Sequence, residues 1–215
     1  KGEMIMDGRF LLAGERVDLV EEDWFPQDAP QVWLRAMHGF DWLGDLRATE
    51  HPESAKAARH MVSSWLNLNK RWHPLSWDGE VPAHRLLAWL GHFDFITHGA
   101  NAAFVRRLTQ EIAIQANHLL LSYQDYELSY ARTTIEKALI FCGQCLPDGT
   151  TLASDMLGKR EESLDRLIRP DGGTQYRSPA LQAALLTDLH DLLDFPRAMR
   201  LHAPSYLATT APRLA

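Results

Sequence analysis

The segment "NKRWHPLSWDGEVPAHRLLAW" (69–89) interleaves Arg71, Trp72, Trp77, Arg85 and Trp89. Indole faces stack on the apolar faces of sugar rings, and guanidinium forks pair with carboxylates or sulfates. The alternative is that the tryptophans are core and the arginines solvated. A second informative stretch is "RPDGGTQYRSPALQ" (169–182). Gly172 and Gly173 permit positive φ there, and Ser178-Pro179 is a good cap and first-turn pair for a following helix. The ten histidines include no i, i+3 or i, i+4 pair, so no helix-face metal site is expected. Cys142 and Cys145, in "FCGQC", lie in an apolar helical run with no second pair to complete a zinc site. They are expected to be two buried thiols. No Gly-rich phosphate loop, nucleophile elbow or H-E-x-x-H occurs, and no cofactor is expected.

These groups need elements to hold them. The chain has 215 residues, 46% hydrophobic and 23% charged, enough for a substantial core in one domain with a small appendage. A formal net charge of −6 argues against nucleic acid as a partner. No run approaches the roughly 18 apolar residues of a membrane span, and no signal peptide is visible. The opening "KGEM" and the closing "LATTAPRLA" are expected of a piece of a longer protein.

"RFLLAGERVDLV" (9–20) reads as a β-hairpin turning at Ala13-Gly14-Glu15, and residues 21–30 as an extended connector. Residues 31–46 read as a short helix and a buried turn. From residue 52 the pattern is helical. Its stripes are Ala57, Met61, Trp65 and Leu68, then Phe104, Leu108, Ile112 and Leu119. Helical patterns also cover 82–99, 126–146, 151–168 and 178–195, with short connections that favour antiparallel neighbours. The expected fold is all-α with a small N-terminal β element, divided into an extension over 1–30 and a helical domain over 31–215.

The order of "MHGFDWLGDL", "HRLLAW" and the helix-loop-helix-"DGG" run "ALIFCGQCLPDGTTLASDMLGKREESLDRLIRPDGG" resembles the helical domain of the bacterial heparinase II/III family, over roughly residues 9–195. The resemblance implies an incomplete α/α toroid with a substrate cleft on its concave face. In the family a β-sandwich domain follows and supplies a catalytic histidine; that domain is expected to be absent from this chain. It also implies β-elimination on a uronic-acid polysaccharide. One group neutralises the C6 carboxylate, a base removes the C5 proton, and a tyrosine protonates the leaving oxygen. The implied partner is an acidic polysaccharide. The implied location is periplasmic or secreted if a leader was removed, and cytoplasmic otherwise.

The family's loop has the form D-G-x-x-x-E-x-S-P-x-Y-H. Lined up on Asp171-Gly172 and Ser178-Pro179, this chain has Tyr176 at the Glu, Leu181 at the Tyr and Gln182 at the His. The family's Asn-His pair falls on Tyr130 and Ala131. The resemblance therefore leaves Tyr176 and Tyr130 as candidate acid/base groups, with Arg177, Arg132 and Gln182 as substrate ligands. Trp72, Trp77, Arg85 and Trp89 are the candidate sugar contacts. Without the sandwich, this chain alone is expected to be inactive. Leu181 continues the spacing of Leu185 and Leu189 and is expected to pack inward. The other readings of the same scaffold are a catalytically silent glycan-binding toroid and a helical interaction scaffold.

Overall fold

The computed structural model of the chain describes residues 1–19, 23–69, 71–198 and 205–214. These form helices with a single two-stranded sheet among the described residues, the all-α class with a small N-terminal hairpin. The chain divides into two compact units, 1–121 and 122–215.

In the first unit, helix α1 (Gly2–Met6) precedes strands β1 (Arg9–Leu12) and β2 (Glu15–Asp18), which pair antiparallel with Leu12 opposite Glu15. The two turn residues, Ala13 and Gly14, have φ of 51° and 83°, the mirror-image turn whose twist suits a hairpin. Phe10 anchors the hairpin in the core, edge-on to Trp33 and to Trp42 at centroid distances of 6.3 and 5.4 Å. Helix α2 (Gln31–Gly39) stops where Phe40 turns left-handed at φ 64°, and α3 (Leu43–Arg47) follows. The reversal carries Phe40 into an aromatic cluster with Trp24, Trp42, Trp65 and Trp89.

Helix α4 (Ser54–Leu68) corrects the expected stripe. Trp65 is buried, but the face around it is Ala58, Val62 and Leu66, and Leu68 is exposed. The apolar spacing allowed either phase. Trp65 selects one, because its Nε1 donates to His38 Nδ1 at 2.9 Å and its ring meets Trp89 edge-on. Residues 82–99 form two helices, α5 (Glu80–Gly91) and α6 (Phe93–Thr97), broken at His92. Helix α7 (Ala102–Ser122) buries Leu108, Ile112 and Leu119 as expected, with Phe104 half-buried.

The interior of this unit holds a cation. Arg85 has no exposed surface. Its Nε donates to Gln115 Oε1 (2.8 Å), Nη1 to the His38 carbonyl (2.8 Å) and Nη2 to the Ser76 carbonyl (3.1 Å). Its guanidinium carbon sits 4.2 Å from the Trp65 ring centroid. Burial pushes Arg85 down to about 9, so it remains charged at neutral pH. Neutral acceptors and aromatic faces hold the charge, an arrangement that ties α2, α5 and α7 and the 76–77 turn to one side chain.

In the second unit, α8 (Tyr130–Cys145) is capped by Ser129, whose hydroxyl accepts from the Arg132 N–H. It is buried continuously from Thr133 to Gly143 and packs on α9 (Thr150–Leu167). A Cβ on Gly143 would lie 2.6 Å from the Ala153 nitrogen, so the glycine of "FCGQC" is required by that approach. Only Cys142 is a buried thiol; Cys145 is exposed, where the helix emerges at its last residue. Helices α10 (Pro179–Ala198) and α11 (Ser205–Leu214) complete the unit, α11 reaching α9 through a bond from Tyr206 Oη to the Leu157 carbonyl (3.0 Å).

Two stability effects follow from the first unit. Arg85→Ala leaves two carbonyls and the Gln115 amide oxygen buried without a donor, and should lower unfolding free energy by about 3 kcal/mol or more, read from urea melts at pH 7. His38 Nε2 faces the Trp24 carbonyl at 3.0 Å while Nδ1 accepts from Trp65, so the ring is neutral. Burial and then the Arg85 charge push its pKa from 6.5 down to about 3. Its contribution is complete above pH 6.5 and is lost as pH falls from 6.5 towards 3. Melts of His38→Gln should therefore show less destabilisation between pH 7 and pH 4 than those of the parent chain.

Candidate functional site

The loop after α9 is built by backbone hydrogen bonds. Ile168 bridges Thr174, the Arg169 N–H donates to the Gly173 carbonyl (2.8 Å), and the Gln175 N–H to the Leu167 carbonyl (2.8 Å). Gly172 turns the chain at φ 82°. The Asp171 carboxylate then accepts from the Gly173 N–H (3.1 Å) and from Arg177 Nη1 (2.8 Å). A Cβ on Gly173 would lie 2.7 Å from that same Nη1, so glycine there lets Arg177 lie across the loop. The Arg177 guanidinium, with the Gly173 N–H, holds the Asp171 carboxyl below the usual range. The result is an exposed clasp, 171–177, with Tyr176 displayed on it at 44% exposure.

Ser178 caps the helix that follows, its Oγ accepting from the Leu181 N–H at 3.4 Å, and Pro179 takes the first helical position. Leu189 and Leu185 are buried as expected, whereas Leu181 is only half-buried, one turn from the open end of α10. Gln182 Nε2 donates to the Leu214 carbonyl at 2.7 Å. That amide, expected to meet substrate, instead fastens α11 to α10.

At the start of α8, Tyr130 is half-buried, and its carbonyl accepts from the hydroxyls of Thr133 (2.7 Å) and Thr134 (3.2 Å). Arg132, expected to take a substrate carboxylate, turns inward. Its Nε donates to Tyr123 Oη (3.0 Å) and Nη1 to the Tyr126 carbonyl (2.9 Å), with its guanidinium 4.3 Å from the Tyr123 ring centroid.

The sequence reading missed the charged interior behind these residues. Glu136 is fully buried and accepts from Tyr123 Oη (2.7 Å) and Ser163 Oγ (2.6 Å). Arg160, also fully buried, lies 4.0 Å from Glu136 and 3.6 Å from Asp188, and donates to the Thr133 carbonyl. Lys137 pairs with Asp188 (2.8 Å) and Asp191 (2.6 Å). Burial pushes the Glu136 carboxyl up, against the opposing pull of Ser163, Arg160, Tyr123 and Arg132. Burial and the neighbouring Glu136 push the Tyr123 phenol up to about 12. Tyr123 keeps its proton and serves as a donor inside the fold. The available signal was the pair Glu136-Lys137 inside the apolar run "IEKALIF": charges at positions that a helix buries imply partners.

Of the interleaved aromatic stretch, Trp77 is 7% exposed and Trp89 and Arg85 are not exposed at all. These three are core residues, a correction to their assignment as sugar contacts: the cation is held by internal acceptors, and the indoles pack inside the unit. Trp72 is 66% exposed, and Arg71 is exposed beside it in sequence. Among the described residues no group of three His, Cys, Asp or Glu side chains could hold a metal ion.

No protein-family model matches the chain. It is 28% identical over 215 residues to FtsZ-localized protein C of Caulobacter vibrioides, an alignment covering 99% of this chain and 37% of that protein. Among solved structures it is similar to the heparan sulfate lyase HepC from Pedobacter heparinus, with a TM-score of 0.80 at 14% identity over 99% of this chain and 36% of that one. A heparinase III structure matches with a TM-score of 0.73 at 15% identity, over 94% of this chain and 32% of that one. The fold thus resembles that of a heparinase lyase domain, and the chain spans about a third of the length of the proteins it matches.

Glu136→Ala would leave Arg160 and Tyr123 facing a buried gap. It should destabilise the second unit by about 3–5 kcal/mol, the scale for breaking a buried ion pair from one side, measured by chemical denaturation.

Proposed function

We propose that this chain is the helical part of a heparinase II/III-like polysaccharide lyase, and that the longer protein acts by β-elimination on a uronic-acid-containing polysaccharide. The observation that carries the reading is Tyr176. It is an exposed phenol on a loop fixed by the Asp171–Arg177 clasp, at the motif position where the lyases have a Glu. The fold likeness to heparan sulfate lyases supports the substrate class.

In this reading the C5–H bond of the uronate breaks, its electrons form the C4=C5 double bond, and the C4–O4 bond breaks as O4 takes a proton. Tyr176, or Tyr130 at the start of α8, exchanges one of those protons. Arg177 neutralises the sugar carboxylate by changing partner, from Asp171 to the substrate, so the ion pair of the clasp is conserved in kind. The remainder of the longer protein supplies the opposite wall, including the histidine that the resemblance implies.

A second reading has its own observations. Leu181 cannot move a proton, and the Gln182 amide is bonded to the Leu214 carbonyl. Both fit a glycan-binding domain without chemistry. The relative named for its localisation to FtsZ suggests, for such a domain, a place with FtsZ.

The test is the ultraviolet absorbance of unsaturated uronate when the full-length protein is mixed with uronic-acid polysaccharides. Tyr176→Phe should reduce turnover about a hundredfold, the usual scale for a positioned acid/base. Unchanged turnover would remove Tyr176 from the mechanism. A wild-type protein that binds the polysaccharide and releases no product would favour the second reading.

A further inference from the structure

The chain has seven tryptophans, and six of them, Trp24, Trp33, Trp42, Trp65, Trp77 and Trp89, are 7% exposed or less. Trp72 is 66% exposed. Its display is imposed by its neighbours on both sides. Asn69 is buried at the end of α4, its N–H on the Trp65 carbonyl (2.9 Å). The His73 ring lies 4.3 Å from the Phe25 ring, its Nδ1 accepts from the Leu75 N–H (3.2 Å), and its carbonyl accepts from the Trp77 N–H (3.0 Å). The chain is pinned before and after position 72, and the indole is left outside. Leu68, four residues earlier, is 63% exposed. Arg71 is exposed, and among the described residues no carboxylate pairs with it. Covering the exposed indole with an apolar sugar face would remove that surface from water.

We propose that Trp72 and Arg71 form a sugar-binding platform in the first unit that takes a uronic-acid residue of an acidic polysaccharide. The proposal rests on the polysaccharide reading above and adds a subsite to it. The indole face covers the axial C–H groups of a pyranose ring, a contact that a flat aromatic surface makes and a flexible aliphatic side chain makes poorly. The exposed Arg71 fork, which has no carboxylate partner among the described residues, matches a planar carboxylate with two parallel hydrogen bonds. Any preference for an anionic sugar is local, because the chain as a whole carries a net −6: the exposed Arg71 guanidinium, adjacent in sequence to the exposed indole, is the group that attracts an anion there.

The burial of the other six tryptophans makes the site readable. A neutral aqueous quencher such as acrylamide reaches Trp72 selectively, and the difference between the parent chain and Trp72→Phe isolates its emission. Hyaluronan oligosaccharides, which carry uronate and no sulfate, should protect that emission saturably. Dextran should not. Trp72→Ala and Arg71→Gln should each weaken binding about tenfold, with unchanged far-ultraviolet circular dichroism. No protection by hyaluronan would overturn the proposal, as would an affinity in either variant unchanged from that of the parent chain. Protection by dextran sulfate alone, or by phospholipid vesicles alone, would assign the platform to sulfate or to a membrane surface and would overturn it equally. Binding at Trp72 with no unsaturated product would leave the platform standing while the elimination chemistry fails. Product formation without Trp72 protection would do the reverse.

Discussion

A buried carboxylate and a buried guanidinium, Glu136 on α8 and Arg160 on α9, organise the second unit. Each would cost several kcal/mol to desolvate alone. Together with Lys137 on α8 and Asp188 on α10 they balance, and Tyr123, Ser163 and the Thr133 carbonyl supply hydrogen bonds at the margins. These ion pairs and hydrogen bonds tie α8, α9 and α10 to one another. The same contacts position both the start of α8, with Tyr130 and Arg132, and the helix that begins just after the 171–177 clasp. Arg85 does the same for the first unit with neutral acceptors and aromatic faces.

This interior takes up side chains at positions that the resemblance to the lyases implies would be reactive. Arg132 belongs to the cluster through Tyr123 and Glu136. Gln182 holds α11, and Leu181 extends the apolar line of Leu185 and Leu189. The first two contribute interactions to folding that a mobile reactive group would not. Tyr176 and Arg177 stand apart from this pattern. They sit on a loop closed by an exposed ion pair with Asp171, which a competing carboxylate can exchange.

Much of the fold was legible because it rests on local signals. The hairpin follows from a glycine at a turn that needs positive φ, and the helices from a 3.6-residue apolar period bounded by caps such as Ser129 and Ser178. Where several faces of a helix carry apolar residues, local signals fail to choose. The phase of α4 was decided by a hydrogen bond from Trp65 to a histidine 27 residues away. The break at His92 carries neither proline nor a turn dipeptide. Most of the charged interior was hidden for a related reason: beyond the Glu136-Lys137 pair in its apolar run, its members come from residues 123, 132, 160 and 188, and each alone reads as a surface charge or a solvated phenol. The aromatic-arginine stretch shows the opposite error, since residue types suited to sugar binding are equally suited to a core built on a cation between indoles.

The most direct measurement is a nuclear magnetic resonance titration of the isotope-labelled chain with uronic-acid oligosaccharides. The account predicts saturable amide shifts at Gly172, Gly173, Tyr176 and Arg177, as the substrate carboxylate displaces Asp171 from the clasp. Saturating concentrations that leave those four signals unmoved would contradict it.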